Sequence, residues 1–191
     1  MSAHPLYPRI HIQPEALARS PGHVSGHFAN PARAMSDVLT QIGDLPKPLS
    51  ERWLATSRGH IVLNHQQHGF VSGDSLFRQR ILVDVAWLKL AFIADAVRFL
   101  TPVGRLVVNI VGWGQAPEVE PALKGWEQFV GGVQGCFRAG YGISLEAQQD
   151  VGVYVAEGIA HFLVDRRSLN RHDPRLEKLL AATLFDPAAY R

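Results

Sequence analysis

The sequence contains one cysteine among 191 residues and has few charged side chains. A single cysteine, Cys136, excludes an intramolecular disulfide framework and fits a reducing compartment. Charged residues make up 19% of the chain, below the roughly 25% that is usual for soluble domains. Hydrophobic residues make up 47%. This shortage of charge favours a membrane or a large permanent interface.

Long apolar runs and strongly basic tracts are also absent. The net charge is only +2, and no cluster of Lys and Arg is interleaved with aromatic residues, so we expect no nucleic-acid partner. The first residues lack the apolar region of a secretory signal. No window of about 18 or more uncharged apolar residues occurs, so a membrane interpretation requires a segment that packs among other helices.

The signatures of several enzyme classes are missing. Phosphate-loop, dinucleotide-binding, Ser-His-Asp and HExxH motifs do not occur. Glu157 and His161 have the reverse of the HExxH order, although their segment is similar to the second metal-binding helix of gluzincin-type peptidases. His60, His65 and His68 lie close together, but none has a cysteine or carboxylate at a recognised ligand spacing. We therefore predict no catalytic residue and no metal, with a soluble helical enzyme or a degenerate zinc metallopeptidase-like protein as the alternative.

An almost wholly apolar stretch begins at Ser144, a plausible N-cap, and ends at the basic pair Arg166 and Arg167. Its two polar side chains in the middle, Glu157 and His161, are four residues apart and would share one face of a helix. The pattern predicts a helix that is either the centre of a soluble core or a short span through a bilayer.

The rest of the chain also has a mainly helical pattern. Asn30, Pro31 and Gly43 are in the order of an N-cap, a first-turn proline and a C′ glycine, and Asp173 with Pro174 begins a last helix. The β-branched run after Pro102 is compatible with a strand, but without a second strand nearby we expect a short helix. Residues 1–29 look like an extended arm. Further helices are predicted over residues 50–59, 75–100 and 117–138.

Taken together, the features from Ser75 to Arg167 resemble subunit g of the mitochondrial ATP synthase, an accessory membrane subunit. That family has an amphipathic region, a proline with Arg-Leu, a short hydrophobic helix, a proline-containing hinge, an amphipathic helix and one C-terminal transmembrane helix. The corresponding positions here are Pro102, Arg105-Leu106, residues 116–119, Glu157 and Arg166-Arg167. Residues 1–74 and the tail after Asn170 have no counterpart.

The resemblance implies an all-α fold of membrane-associated helices with one C-terminal transmembrane helix and an extended N-terminal arm. It divides the chain into an extension (1–74), a subunit-g-like membrane region (75–170) and a capping helix (171–191). The implied function is that of a non-catalytic accessory subunit of the Fo region in the mitochondrial inner membrane, which supports dimerisation of the complex and cristae shape. Its partners would be a subunit e-like neighbour, the subunit a/b region and membrane lipid. No cofactor is implied beyond a structural phospholipid such as cardiolipin.

Two groups of site residues follow. Gly131 and Gly135 have a spacing that allows two helix backbones to approach closely, and Glu157 and His161 would face a partner helix. Four arginines are expected at lipid headgroups: Arg105, Arg138, Arg166 and Arg167. A third alternative is a soluble helical interaction module.

Overall fold

The computed structural model describes residues 4–28, 30–114 and 120–191. Within these ranges the chain forms a four-stranded mixed sheet and seven α-helices, so the all-α prediction is wrong. The strands are β1 (Ile10–Ile12), β2 (His60–Asn64), β3 (Gly69–Phe77) and β4 (Arg80–Lys89). The helices are α1 (Gly22–His27), α2 (Pro31–Gln41), α3 (Lys47–Ala55), α4 (Ala96–Val111), α5 (Trp126–Arg138), α6 (Val151–His172) and α7 (Pro174–Ala182). Short 3₁₀ helices occupy Tyr7–Arg9, Leu90–Phe92 and Pro187–Ala189.

The sheet has the strand order β1-β2-β4-β3. Strands β1, β2 and β4 are parallel to one another, and β3 pairs with β4 in an antiparallel hairpin. One face of the sheet packs into the main hydrophobic core with the helices, through residues such as Leu63 and Leu88. The other face carries a smaller buried cluster: Val62, Phe77, Leu82, Val85 and Trp87.

The helix predicted over residues 75–100 is wrong. This stretch forms the end of β3, the hairpin turn, β4, a 3₁₀ turn and the start of α4. Because β4 is buried on both faces, its sequence is an almost continuous apolar run, and such a run does not show the alternation of a half-exposed strand. The turn residues Arg78 and Gln79 have φ values of 49° and 65°, so both adopt the left-handed conformation. Hairpin turns with two such residues usually have the sequence Asn-Gly, which is absent here.

A bulge bends the same hairpin at Asp84. Two residues of β3, Ser72 and Gly73, stand opposite this one residue of β4, which is buried and has a φ of 58°. Its carboxylate accepts hydrogen bonds from Arg58 Nε at 2.6 Å and from the backbone N–H of Gly73 at 2.8 Å. The negative charge of the buried Asp84 is therefore compensated at the bulge by Arg58 and by a backbone N–H group.

Helix α4 continues through Pro102, where the sequence indicated a break. Asp95 is its N-cap and accepts from the backbone N–H of Arg98 at 3.1 Å. A proline inside a helix removes one hydrogen bond to the carbonyl four residues earlier, which is that of Arg98. The Nε2 of His68 lies 3.0 Å from this carbonyl oxygen and replaces the missing donor.

Helix α6 begins after Asp150, whose carboxylate accepts from Val153 N, rather than at Ser144. Its backbone is non-helical at Asp165 (φ −150°, ψ 79°), and this side chain caps a second helical piece by accepting from Ser168 N at 3.0 Å. The uninterrupted part, residues 151–164, is about 21 Å long at 1.5 Å per residue, against about 30 Å of bilayer hydrocarbon.

Among the described residues, no helix is both long enough and apolar enough to cross a membrane. The predicted C-terminal transmembrane helix is therefore wrong. The extended N-terminal arm is also wrong for residues 4–28, because β1 is a sheet strand and Leu6 and Ile10 are buried in the main core.

Two sequence predictions are confirmed closely. Asn30 caps α2 by accepting from Arg33 N at 2.9 Å, and Asp173 caps α7 by accepting from Leu176 N at 2.9 Å. The helix predicted over residues 117–138 begins later, at Trp126; residues 115–119 lie outside the described part of the chain. The main core contains side chains from Leu6 to Tyr190, so residues of all three predicted regions share it.

Candidate functional site

A cleft of about 1040 Å³ lies between one end of the sheet, α4 and α6. The segment after β2, the end of β4 and the following 3₁₀ turn form one wall. The exposed face of α4 and one face of α6 form two more, and the loop before α6 forms the rim. The lining residues that matter below are His68, Lys89, Phe92, Arg98, Arg105, Ile143, Leu145, Val153, Glu157 and His161.

Two cations converge on Phe92 in this cleft. The guanidinium carbon of Arg98 lies 3.7 Å from the centroid of the ring, and Nζ of Lys89 lies 5.6 Å from it. Neither side chain has an ion pair with any carboxylate in the part of the chain that the structure describes. Asp95, three residues before Arg98, also lines the cleft, and its Oδ1 accepts from the backbone N–H of Arg98 as the cap of α4. Cation–π attraction to the ring favours these positions, and the side-chain N–H groups of both cations donate no hydrogen bond to any described residue.

His68 fixes the backbone beneath both cations. Its Nε2 donates to the carbonyl of Arg98, and its Nδ1 accepts, at 3.4 Å, from the backbone N–H of Lys89. This pattern assigns the neutral tautomer with the proton on Nε2. Burial, the largest cause, lowers the pKa of His68, which agrees with a neutral ring. The ring also meets Phe92 edge-on, with centroids 4.8 Å apart.

Glu157 and His161 lie one turn apart on the wall formed by α6, with Val153 one turn before them. The Oε2 of Glu157 and the Nδ1 of His161 are shielded from solvent and have no hydrogen-bond partner within the described ranges. Burial lowers the pKa of His161, so this ring is neutral near pH 7 and does not compensate the Glu157 charge. Among the residues that the structure describes, the α6 wall therefore carries a carboxylate without a hydrogen-bond or ion-pair partner.

Small residues allow α4 and α6 to approach closely. A Cβ on Gly104 would lie well under 3.0 Å from the backbone oxygen of Ala156, and one on Gly152 would collide with the guanidinium of Arg105. The same guanidinium lies 3.5 Å from the carboxylate of Asp150. The spacing of the two helical walls therefore depends on glycine at Gly104, where the obstacle is backbone, whereas at Gly152 the Arg105 side chain can move aside.

The rim of the cleft, residues 143–146, carries two exposed aliphatic side chains next to Ser144 and Glu146. Ile143 is 41% exposed and Leu145 is 76% exposed, and both line the cleft. Exposed aliphatic side chains at the edge of a cavity are suited to contact the apolar part of a ligand. The cleft thus combines a cationic wall, a carboxylate wall and a rim with two exposed aliphatic side chains.

The predicted site residues are only partly brought together. Glu157, His161 and Arg105 meet in the cleft. Gly131 and Gly135 lie on the exposed side of α5 with open space around them, so their contact with a partner helix stays a prediction. The close helix contact within the chain is made by Gly104 instead.

The other predicted headgroup arginines lie outside the cleft. Arg166 forms an ion pair with Glu177 at 2.6 Å and lies over the Phe162 ring at 4.6 Å. Arg167 is exposed just after the kink in α6, and Arg138 is exposed at the end of α5. Lipid contact by these arginines also stays a prediction.

The histidines that were close in sequence are separated by the fold. His68 lies in the cleft, whereas Nδ1 of His60 lies 3.1 Å from Nε2 of His11 on the sheet. Within residues 4–28, 30–114 and 120–191, no three His, Cys, Asp or Glu side chains are grouped so that they could hold a metal ion.

Sequence reasoning missed the pair Lys89 and Arg98. On the predicted continuous helix the two residues fell on nearly opposite faces. The 3₁₀ turn at Leu90–Phe92 reverses the chain between strand and helix and brings both over one ring. No motif in the sequence signals this turn.

Comparison with known proteins gives no match: no protein-family model, no curated protein and no solved structure matches the chain. The geometry of the cleft is therefore the basis for inferring what the chain does.

Proposed function

We propose that this chain is a ligand-binding protein whose cleft takes a small molecule with an anionic group, a carboxylate or a phosphate, at Lys89 and Arg98. The observation that carries the proposal is the pair of cations held over Phe92 with no acidic partner in the described part of the chain. Cations in a concave, partly apolar site are a common way to recognise an anion.

The surroundings of the pair are suited to this role. Side chains that are already held against a ring lose less conformational entropy when a ligand binds than freely rotating ones. The hydrogen bonds of His68 fix the backbone of both residues before any ligand arrives. A hydrogen bond to a charged group contributes about 1.5–3 kcal/mol, so we expect each cation to account for about a tenfold or greater gain in affinity.

The test compares binding of anionic and neutral relatives of one compound, such as a carboxylate and its amide, by calorimetry and by thermal shift. We expect the carboxylate to bind and its amide to bind at least about tenfold more weakly. Arg98→Ala and Lys89→Ala should each remove most of that preference. Arg138→Ala, which removes an exposed arginine outside the cleft, should leave it unchanged. Equal binding of carboxylate and amide across a panel of compounds, or equal losses in all three variants, would contradict the proposal.

Assembly into the Fo region of the ATP synthase in the mitochondrial inner membrane, with a subunit e-like neighbour, the subunit a/b region and cardiolipin, is a separate proposal. It rests on the resemblance alone. The transmembrane helix that the resemblance implies is not found among the described residues. If it holds, ATP synthase subunits should copurify with the chain, and Glu157→Lys should lower the yield of synthase dimers on a native gel. An unchanged dimer yield would count against it.

A further inference from the structure

We infer that the ligand of the cleft is zwitterionic: beside the anionic group at Lys89 and Arg98 it carries a protonated amine that pairs with Glu157. This inference rests on the proposed function and adds the second recognition group. It narrows the ligand class to free amino acids and short peptides with apolar side chains.

The half-buried side chain of Glu157 lines the cleft, and its carboxylate accepts no hydrogen bond from the residues that the structure describes. Because Oε2 is shielded from solvent, Oε1 is the oxygen that a ligand in the cleft would contact. A carboxylate that is partly withdrawn from water needs donors, and the strongest available donor is a cation. A ligand ammonium supplies three N–H groups and the opposite charge.

No side chain nearby takes this place. Arg105, the other cation on the α4 wall, points its guanidinium toward Asp150 and Gly152 near the start of α6. His161, one turn after Glu157, is shielded and has an unpartnered Nδ1 of its own. Within the described residues, Lys89 and Arg98 on one side of the cleft and Glu157 on the α6 wall therefore form no ion pair, although Asp95 and Glu146 also line the cleft. Such separation matches a ligand that carries both charges.

The apolar parts of the cleft define the body of the ligand. Val153 lies beside Glu157 on α6, and Ile143 with Leu145 forms the rim. An aliphatic side chain of an amino acid or peptide would cover these groups and remove them from water. A purely anionic metabolite would place a second negative charge near Glu157, which opposes binding.

The experiment uses the full chain and a ladder of peptides: leucine, leucyl-leucine and leucyl-leucyl-leucine. Each is compared with its N-acetyl form, which keeps only the carboxylate, and with its C-terminal amide, which keeps only the ammonium. The ladder varies the distance between the two charges. For at least one length, we expect the free form to bind about tenfold or more tightly than either blocked form, as a charge-assisted contact at each end would give.

A matched variant separates the two ends of the ligand. Glu157→Gln keeps the size of the side chain and removes its charge, so it should bring the free peptide to the affinity of the N-acetyl form and leave the N-acetyl form unchanged. Arg98→Ala should bring the free peptide to the affinity of the amide. The comparison of free and blocked peptides is made on the unaltered chain, so it remains a valid test even if a variant fails to fold.

The outcomes are distinguishable. If N-acetyl peptides bind as tightly as free ones at every length, the zwitterion inference is overturned while the anion site stands. If only the amides bind, or if no carboxylate binds at all, the proposed function fails as well. If Glu157→Gln weakens the N-acetyl form equally, then Glu157 has a structural effect and the inference is also overturned.

Discussion

Replacing Gly104 with alanine tests the contact that sets the spacing of the two helical walls. Gly104 lies inside α4 against the backbone of Ala156 in α6, and its added Cβ would lie well under 3.0 Å from a carbonyl oxygen. Because the obstacle is backbone, no rotamer change removes the overlap. The helices would have to separate by about 1 Å to restore an ordinary van der Waals distance.

The expected magnitude follows from two opposing effects. Alanine gains about 1 kcal/mol over glycine in helix propensity, whereas overpacking in a filled core costs about 1–3 kcal/mol and occasionally more. A backbone overlap belongs at the upper end, so we expect a net loss of about 2 kcal/mol in the free energy of unfolding. For a chain of this length, that loss lowers Tm by about 4–8 °C.

The assay is thermal and urea unfolding followed by circular dichroism, with Gly131→Ala as the control. Gly131 has open space around its Cα on α5, so there alanine should raise Tm by about 2–4 °C through helix propensity alone. A Gly104→Ala variant that is as stable as Gly131→Ala would refute the packing of α4 on α6. A Gly131→Ala variant that is destabilised would instead support the predicted partner contact at that glycine.

Three further predictions concern other parts of the fold. Asp84→Ala should lower the free energy of unfolding, measured in urea, by about 1–3 kcal/mol because Arg58 and the Gly73 N–H lose their buried acceptor. An unchanged urea midpoint would contradict these contacts at the bulge. Burial lowers the pKa of His11 to about 4; since the unfolded state takes up the proton first, stability should fall as pH drops from 6.5 toward 4. His11→Phe should make the fall in Tm with pH shallower, and an unchanged slope would contradict the half-buried position of the His11 ring beside His60. His68→Ala should weaken carboxylate binding several-fold through the freed backbone of Lys89 and Arg98, as calorimetry would show, whereas unaltered affinity would remove His68 from the site.

The sequence predicted best where local chemistry decides the structure. Asn30 and Asp173 are N-caps because their short side chains reach backbone N–H groups within the first turn. The same reasoning failed at Ser144, which caps only a short turn by accepting from Ala147 N, because the helix begins at a second capping residue, Asp150.

The fold class was missed because long-range burial overrides local pattern. Strand β4 is apolar on both faces since each face packs into a separate cluster, and such a run is compatible with a buried helix. Pro102 looked like a helix end, yet His68 satisfies the Arg98 carbonyl that the proline leaves free, although His68 lies 30 residues before Arg98 in the chain. The hydrophobic periodicity of a sequence does not reveal contacts between residues so far apart.

The candidate site was half predicted. Glu157 and His161 were recognised as an unusual polar pair on an apolar helix, and both line the cleft. Their predicted surroundings were wrong, because the 3₁₀ turn after β4 and the hairpin that precedes it bring Lys89, Phe92 and Arg98 to the same cavity.

The most direct test of the account is an experimental structure of the chain with the tightest-binding carboxylate from the ladder. We expect ligand density in the cleft, with the carboxylate contacting both Arg98 and Lys89 where these side chains lie over the Phe92 ring. Density at another site, or an anion bound away from both cations, would contradict it.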